Sequence, residues 1–391
     1  MNHLEQHWEL EPGLDFLNHG SFGACPTVVM EEQQRLRRVM ERQPLDFLYR
    51  EIDDRLDVAR AALAEEVGVQ PADLAFVPNA TTGVNTVLRS LRFEPGDELL
   101  TTQHEYRACK NALEFVAARD GAEVVVAPIP FPFEDSQELV DAVLGCATER
   151  TRLLLIDHIT SPSALVMPLD RILPPLRDRG VDCLVDGAHA PGQLALDLPS
   201  LGATWYTGNC HKWLCTPKGS ALLWCTGEAQ ERLRPLVISH GATLRDMRND
   251  RSAFNIEFDW TGTSDPTAYL CIPRALEFLN GLLPGGLDAL RARNRALALT
   301  GRRVVADALG CTLPTPDDAV GSMASLPLPP GEPGPPPLFE DPLQQVLVRQ
   351  HRIEVPITGW EGQRVIRISA QAYNHAEQYE RLGSALARSL P

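Results

Sequence analysis

Residues 181–189 read VDCLVDGAH, an apolar run too short for a helix that ends on Asp186 and a glycine. Upstream, RLLLIDHI (152–159) has a similar form, and downstream come ATWYTG (203–208) and SALLWC (220–225). LAFVP (74–78), ELLTT (98–102) and EVVVAP (123–128) complete a series of seven. Short runs that are apolar throughout are the pattern of strands buried on both faces. Helix-like stretches separate most of them, which predicts an α/β unit with a mainly parallel sheet covered on both sides. The last two runs leave no room for a crossover helix. The seventh strand is therefore predicted to lie antiparallel to its neighbour in sequence.

On the N-terminal side, residues 28–66 are rich in Glu, Arg, Leu and Ala and read as helical, with a break at Pro44. On the C-terminal side a helix-like stretch spans about 266–309, broken near Pro284-Gly285-Gly286. The run from Thr312 to Pro342 carries ASLPLPP (324–330) and PGPPP (333–337). Proline removes donors and clashes with the preceding helical turn, so this run reads as an edge strand followed by a stiff loop. LQQVLVRQHRIEVPI (343–357) then reads as helix and strand, RVIRIS (364–369) as another strand, and the end as a closing helix. This predicts a short N-terminal segment (1–27), a large domain (28–265) and a linking helix with a smaller α+β domain (266–391).

Composition bounds the function. The 391 residues carry 36 basic and 52 acidic side chains, a formal charge of −16, with 44 % hydrophobic residues. That field repels nucleic acid and anionic membranes, and no basic block with interleaved aromatics reverses it locally. The first residues, MNHLEQHWELEPG, lack the cationic start and apolar stretch of a secretory signal, and no window approaches ~18 uninterrupted apolar residues. The expectation is a soluble, cytoplasmic protein. Nine cysteines, an odd number without a C-x-x-C, read as reduced, mostly buried thiols. Cys210, His211 and Cys215 match no usual zinc spacing, so no metal site is predicted.

Only three of the 36 cations are lysines: Lys110, Lys212 and Lys218. A guanidinium stays charged, whereas an amine can deprotonate, so each lysine raises the question of a needed amine. Lys212 lies in TGNCHKWLCTPKG (207–219), just past a predicted strand. It is either a surface lysine in a turn or an amine able to bond covalently to a carbonyl cofactor. Asp186 either caps the next turn or meets a cationic ligand beyond the carboxyl end of its strand. His189 is a ligand donor or a turn histidine. PNATTGVNTVLRSL (78–91) opens with Asn79 as an N-cap. Thr81 and Thr82 thus sit at a helix N-terminus, which serves ordinary packing or the cradling of an anion. Pyridoxal phosphate needs an amine, a carboxylate and a phosphate cradle together, and Lys212, Asp186 and Thr81-Thr82 supply one of each.

With these residues the chain resembles fold type I pyridoxal-phosphate enzymes of the class V aminotransferase group. Within it the likeness is closest to isopenicillin-N-epimerase-like proteins, related to cysteine desulfurases and C–S lyases. LNHGSFGACP, NATTGVN, TTQHEYRAC, VDGAHAPG, NCHKW, WTGTSDP and RISAQAYNHAEQYERL carry the resemblance nearly end to end. It implies that Lys212 holds the cofactor and shuttles the Cα proton. Asp186 would meet the ring nitrogen, and His189 the phenolic oxygen. Thr81, Thr82, Asn209 and His211 would bind phosphate. The ring-stacking position falls at Tyr106, or at His104 in another register, and a tyrosine there adds a phenol for proton transfer. Thr263 would reach the phosphate of a neighbouring subunit in a homodimer. Arg367 would clamp the substrate carboxylate, with Asn18 and His19 of the N-terminal segment facing the substrate. Desulfurases carry a sulfur-accepting cysteine in the C-terminal domain, and here none follows Cys311. The expected reaction is Cα proton removal leading to epimerisation or β-elimination. Transamination, sulfur transfer and a catalytically silent binding protein of this fold are the alternatives.

Overall fold

The structure is a computed structural model that describes residues 4–330, 341–360 and 362–390. All seven apolar runs are strands: β1 (Leu74–Val77), β2 (Glu98–Thr102), β3 (Glu123–Ala127), β4 (Thr151–Asp157), β5 (Asp182–Asp186), β6 (Trp205–Asn209) and β7 (Ala221–Cys225). They form one sheet in the order β1-β7-β6-β5-β4-β2-β3. β2 through β6 pair in parallel, while β7 runs antiparallel to both β6 and β1. β3 lies at an edge, and its residues are correspondingly less buried than the others.

Alternation along each strand divides the core. Leu154, Ile156, Cys183 and Val185 pack into one apolar cluster, whereas Leu153, Leu155 and Leu184 face another across the sheet. The second layer holds the helices α1 (Ala80–Ser90) and α2 (Arg107–Asp120). By the same alternation Asp157 and Asp186, two residues past Leu155 and Leu184, end their strands on that second face. The carboxyl ends of β1, β2, β4, β5 and β6 share one edge of the sheet, where ligands of open α/β sheets bind.

The helical stretch after residue 266 breaks at the glycines into Ile272–Gly281 and α3 (Gly286–Leu309). α3 packs on α4 (Ala376–Ser389) and on a three-stranded antiparallel sheet. That sheet joins β8 (Met323–Leu328), β9 (Ile357–Trp360) and β10 (Gln363–Ser369), with β10 central and the proline-bearing β8 at an edge. The expected stiff loop, including PGPPP, lies largely outside the described residues. Ile366 and Ile368 join the small apolar cluster, while Val365 joins the large one, so Arg367 of the same alternation faces the large unit. No helix among the described residues is long and apolar enough to cross a membrane.

Candidate active site

The site lies where five strand ends meet the N-terminal segment and β10. At the end of β1, the Asn79 side chain accepts from the Thr82 N–H at 2.8 Å and so caps α1. Asn209, ending β6, accepts from the Ala80 N–H at 2.8 Å. Its amide NH2 and the Thr81 N–H and hydroxyl have no partner among the described residues. The strand ends therefore tie the helix N-terminus in place and leave donors over for an anion.

Asp186 is buried, and its carboxylate accepts from the Cys109 thiol (3.1 Å) and the Ala188 N–H (2.9 Å). Past β6 the Lys212 Nζ lies 3.3 Å from His189 Nε2. Desolvation and the nearby Arg367 guanidinium lower the Lys212 amine to about 7, although Asp186 and Asp157 pull the other way. Burial holds His189 well below the ordinary imidazole range, and its Nδ1 is a buried atom without a hydrogen-bond partner. A free amine, a buried carboxylate, an orphaned imidazole nitrogen and an open helix N-terminus are the donor set that pyridoxal phosphate requires. The residues present fit that group.

Arg367 projects from β10 and is 7 % exposed. Its Nη1 donates to the Ser161 carbonyl (2.6 Å) and its Nη2 to the Ser21 hydroxyl (3.0 Å). Nε is buried without a partner, and no carboxylate pairs with this cation among the described residues. Desolvation lowers it to about 10. A buried guanidinium held by neutral groups is a charge the protein itself leaves uncompensated.

Residues 24–382 match the sequence family described as aminotransferase class-V. The chain belongs to this family. Its members use pyridoxal phosphate, and the chain is a pyridoxal-phosphate-dependent enzyme. Isopenicillin N epimerase from Streptomyces clavuligerus is 34 % identical over 388 residues, covering 96 % of this chain and 95 % of that protein. An L-cysteine desulfhydrase from Arabidopsis thaliana is 29 % identical, over 96 % of this chain and 88 % of its own. Among solved structures, a C-DES mutant with glycine covalently linked to its PLP cofactor superposes with a TM-score of 0.80. It covers 98 % of both chains at 22 % identity, which establishes the shared fold.

Several sequence expectations change on this site. His104 is buried, its two ring nitrogens bonding Ser163 Oγ (2.5 Å) and the Ile129 carbonyl (3.2 Å). Tyr106, at the N-terminus of α2 and 37 % exposed, has a phenol that feels both Asp186 and Arg367. His19 does not face a substrate either. Its Nε2–H donates to the Lys212 carbonyl (2.9 Å), and Nδ1 accepts from the Tyr373 hydroxyl (2.8 Å). It fixes the Lys212 backbone, helped by Gly23 (φ 71°), where a Cβ would meet the His211 carbonyl oxygen at 2.3 Å. Asn18 acts one step removed, accepting from the Ser21 hydroxyl (2.5 Å) that Arg367 meets. His211 spends its Nδ1–H on the Ser220 carbonyl (2.9 Å), so it can donate to a phosphate only when protonated at Nε2. Thr263 is exposed. Ser21, Ser161, Tyr373, Glu105 and Asp157 were not singled out from the sequence. Asp157 carried a usable signal, since IDHI ends its strand as LVDG ends β5.

Proposed function

We propose that this enzyme binds an α-amino acid by its carboxylate and removes the Cα proton, with epimerisation or β-elimination as the outcome. The observation that carries this reading is Arg367, a desolvated cation without a protein carboxylate, whose field reaches the Lys212 amine. Bound pyridoxal phosphate supplies a carbonyl for the substrate amine and a ring that withdraws electrons from Cα. The rest falls to the chain. Arg367 orients the substrate carboxylate, and Lys212, an amine lowered to about 7, takes the proton. Asp186 holds the ring nitrogen and His189 the phenolic oxygen; Thr81 and Asn209 give the phosphate their free donors, with Thr82 and His211, whose own donors meet Asn79 and Ser220, lining the same pocket. The Tyr106 phenol is the second group able to move a proton, which inversion at Cα requires. The relatives' names support these two outcomes. Sulfur transfer is disfavoured because Cys109 and Cys215 are buried behind the site, and Cys311 lies beyond the end of α3.

The test is incubation in D2O with a panel of L-amino acids and cysteine conjugates, read by chiral and mass analysis. Deuterium at Cα with inversion, or a keto acid with ammonia and a released thiol, is the expected result. Amino transfer to a keto acid as the main reaction, or no exchange at Cα, would overturn the proposal.

The same reading makes the working unit a cytoplasmic homodimer with segments 1–27, 28–265 and 266–391 arranged around shared sites. Exposed Thr263 then reaches the partner's phosphate. Mixing inactive Lys212→Ala with inactive Thr263→Trp chains should restore about a quarter of wild-type activity. Half the dimers are hybrids, and each hybrid inherits one intact site. Verified hybrids without activity, or a fully active monomer by light scattering, would exclude shared sites.

A further inference from the structure

Behind Asp186 lies a carboxyl cluster for which the reaction above has no task. β4 and β5 are parallel neighbours with Asp157 directly opposite Asp186, so two strand-ending carboxyls stand on one face of the sheet. Glu105, between β2 and α2, adds a third. One of its carboxylate oxygens, the Cys109 Sγ and an Asp186 oxygen all lie within 4.8 Å of one another. Its carboxyl also lies against that of Asp157. None of the three acids is more than 5 % exposed.

Their hydrogen bonding is unequal. Asp186 has the Cys109 thiol and the Ala188 N–H. Asp157 has the Tyr106 N–H, but its Oδ2 accepts nothing. Glu105 has only the Asp157 N–H beside it, and neither of its oxygens makes a well-formed hydrogen bond when all three acids are drawn as anions. The groups facing the cluster are Lys212 and Lys110 as cations, with Cys109 and the more distant Tyr106 and Tyr206 phenols. Three bare carboxylates in this desolvated space would be far too costly beside so few cations. A proton on one of the two touching carboxyls turns it into a donor and satisfies the orphaned oxygens of both.

We propose that Glu105 and Asp157 share one proton and, as a singly charged pair, stand behind Asp186 to hold the proton on the cofactor's ring nitrogen. Burial raises both carboxyls well above their usual range, in keeping with the shared proton. The pair's charge raises the proton affinity of the Asp186–nitrogen contact as a whole. The donors from Cys109 and Ala188 stabilise Asp186 as the anion, which leaves that proton on the ring. Glu105 and Asp157 are positioning residues acting through Asp186. The proposal rests on the reading that places Asp186 at the ring nitrogen.

The charge count makes a distinctive test. Glu105→Gln leaves Asp157 as the anion, and Asp157→Asn leaves Glu105, so each single variant keeps one negative charge and loses the shared proton. The double variant loses the charge itself. Infrared difference spectra of the holoenzyme near pH 8 should show one protonated-carboxyl C=O stretch, shifted in D2O and absent from either single variant. With cofactor labelled with 15N at the ring, the nitrogen resonance should stay put in both singles. It should move toward the unprotonated position in Glu105→Gln/Asp157→Asn. No carboxylic-acid band in wild type, or an unmoved resonance in a folded double variant, overturns the proposal. Should the double variant not fold, the infrared band in the singles still decides the shared proton. Asp186→Asn separates the two readings. An unmoved resonance there with the infrared band intact would remove Asp186 from the ring nitrogen while leaving the proton-sharing pair in place.

Discussion

Lys212→Ala is expected to lose turnover by at least the roughly 10²–10⁴-fold that a positioned general base contributes, down to background. Cofactor affinity should survive in part, because the helix N-terminus and Asn209 do not depend on the amine. In wild type, borohydride should fix the cofactor on Lys212. With Lys110 and Lys218 the only other lysines, peptide mapping is unambiguous. Label on either of those, or none, would remove Lys212 from its role. Its surroundings add a pH signature. An ordinary lysine is free amine in only about one molecule per thousand at pH 7.5. At a value of about 7, most Lys212 side chains are already free there. Covalent capture of pyridoxal phosphate by the apoprotein should therefore rise through about pH 7 and level off above it. A rate still climbing steeply beyond pH 9 would show that burial and Arg367 do not lower this amine.

Residues whose role follows from backbone position were legible in the sequence; those whose role depends on side-chain direction were not. The seven strands were readable because burial on both faces leaves continuous apolar runs. The antiparallel β7 followed from loop length alone. Asp186 and Lys212 could be placed at the ligand edge from the sequence because a strand end in a parallel sheet points there whatever the side chains do. His104 and Tyr106 are two residues apart in a turn, where periodicity assigns no face. The contacts of His104 with Ser163 and Ile129 hold its ring in the core. His19 misled for a related reason. Its motif sits at the site, but its nitrogens are taken by Tyr373, more than 350 positions along the chain, and by the Lys212 backbone. Glu105 had no signal at all. Its meaning comes from lying against Asp157, a residue on a different strand.

Arg367→Lys separates substrate binding from the cofactor machinery. The guanidinium donates to the Ser161 carbonyl and the Ser21 hydroxyl, while its partnerless Nε remains for a ligand. None of these contacts is to Thr81, Thr82, Asp186 or Asn209, so the variant should keep its bound cofactor and its visible spectrum. Amino-acid turnover should behave differently. A planar fork has five N–H groups, enough to grip both carboxylate oxygens while others keep the serine contacts, whereas an ammonium offers one point charge and too few directions for both tasks. Loss of a desolvated pair of this kind costs on the order of 2–5 kcal/mol, about 30- to 5,000-fold in kcat/KM. The competing view is an arginine engaged in an ordinary surface ion pair, worth about 0–1 kcal/mol. That view predicts nearly normal kinetics, yet Arg367 is 7 % exposed and meets only neutral groups. A kcat/KM within a few-fold of wild type for Arg367→Lys, on any amino acid the enzyme accepts, would take the carboxylate clamp away from this residue.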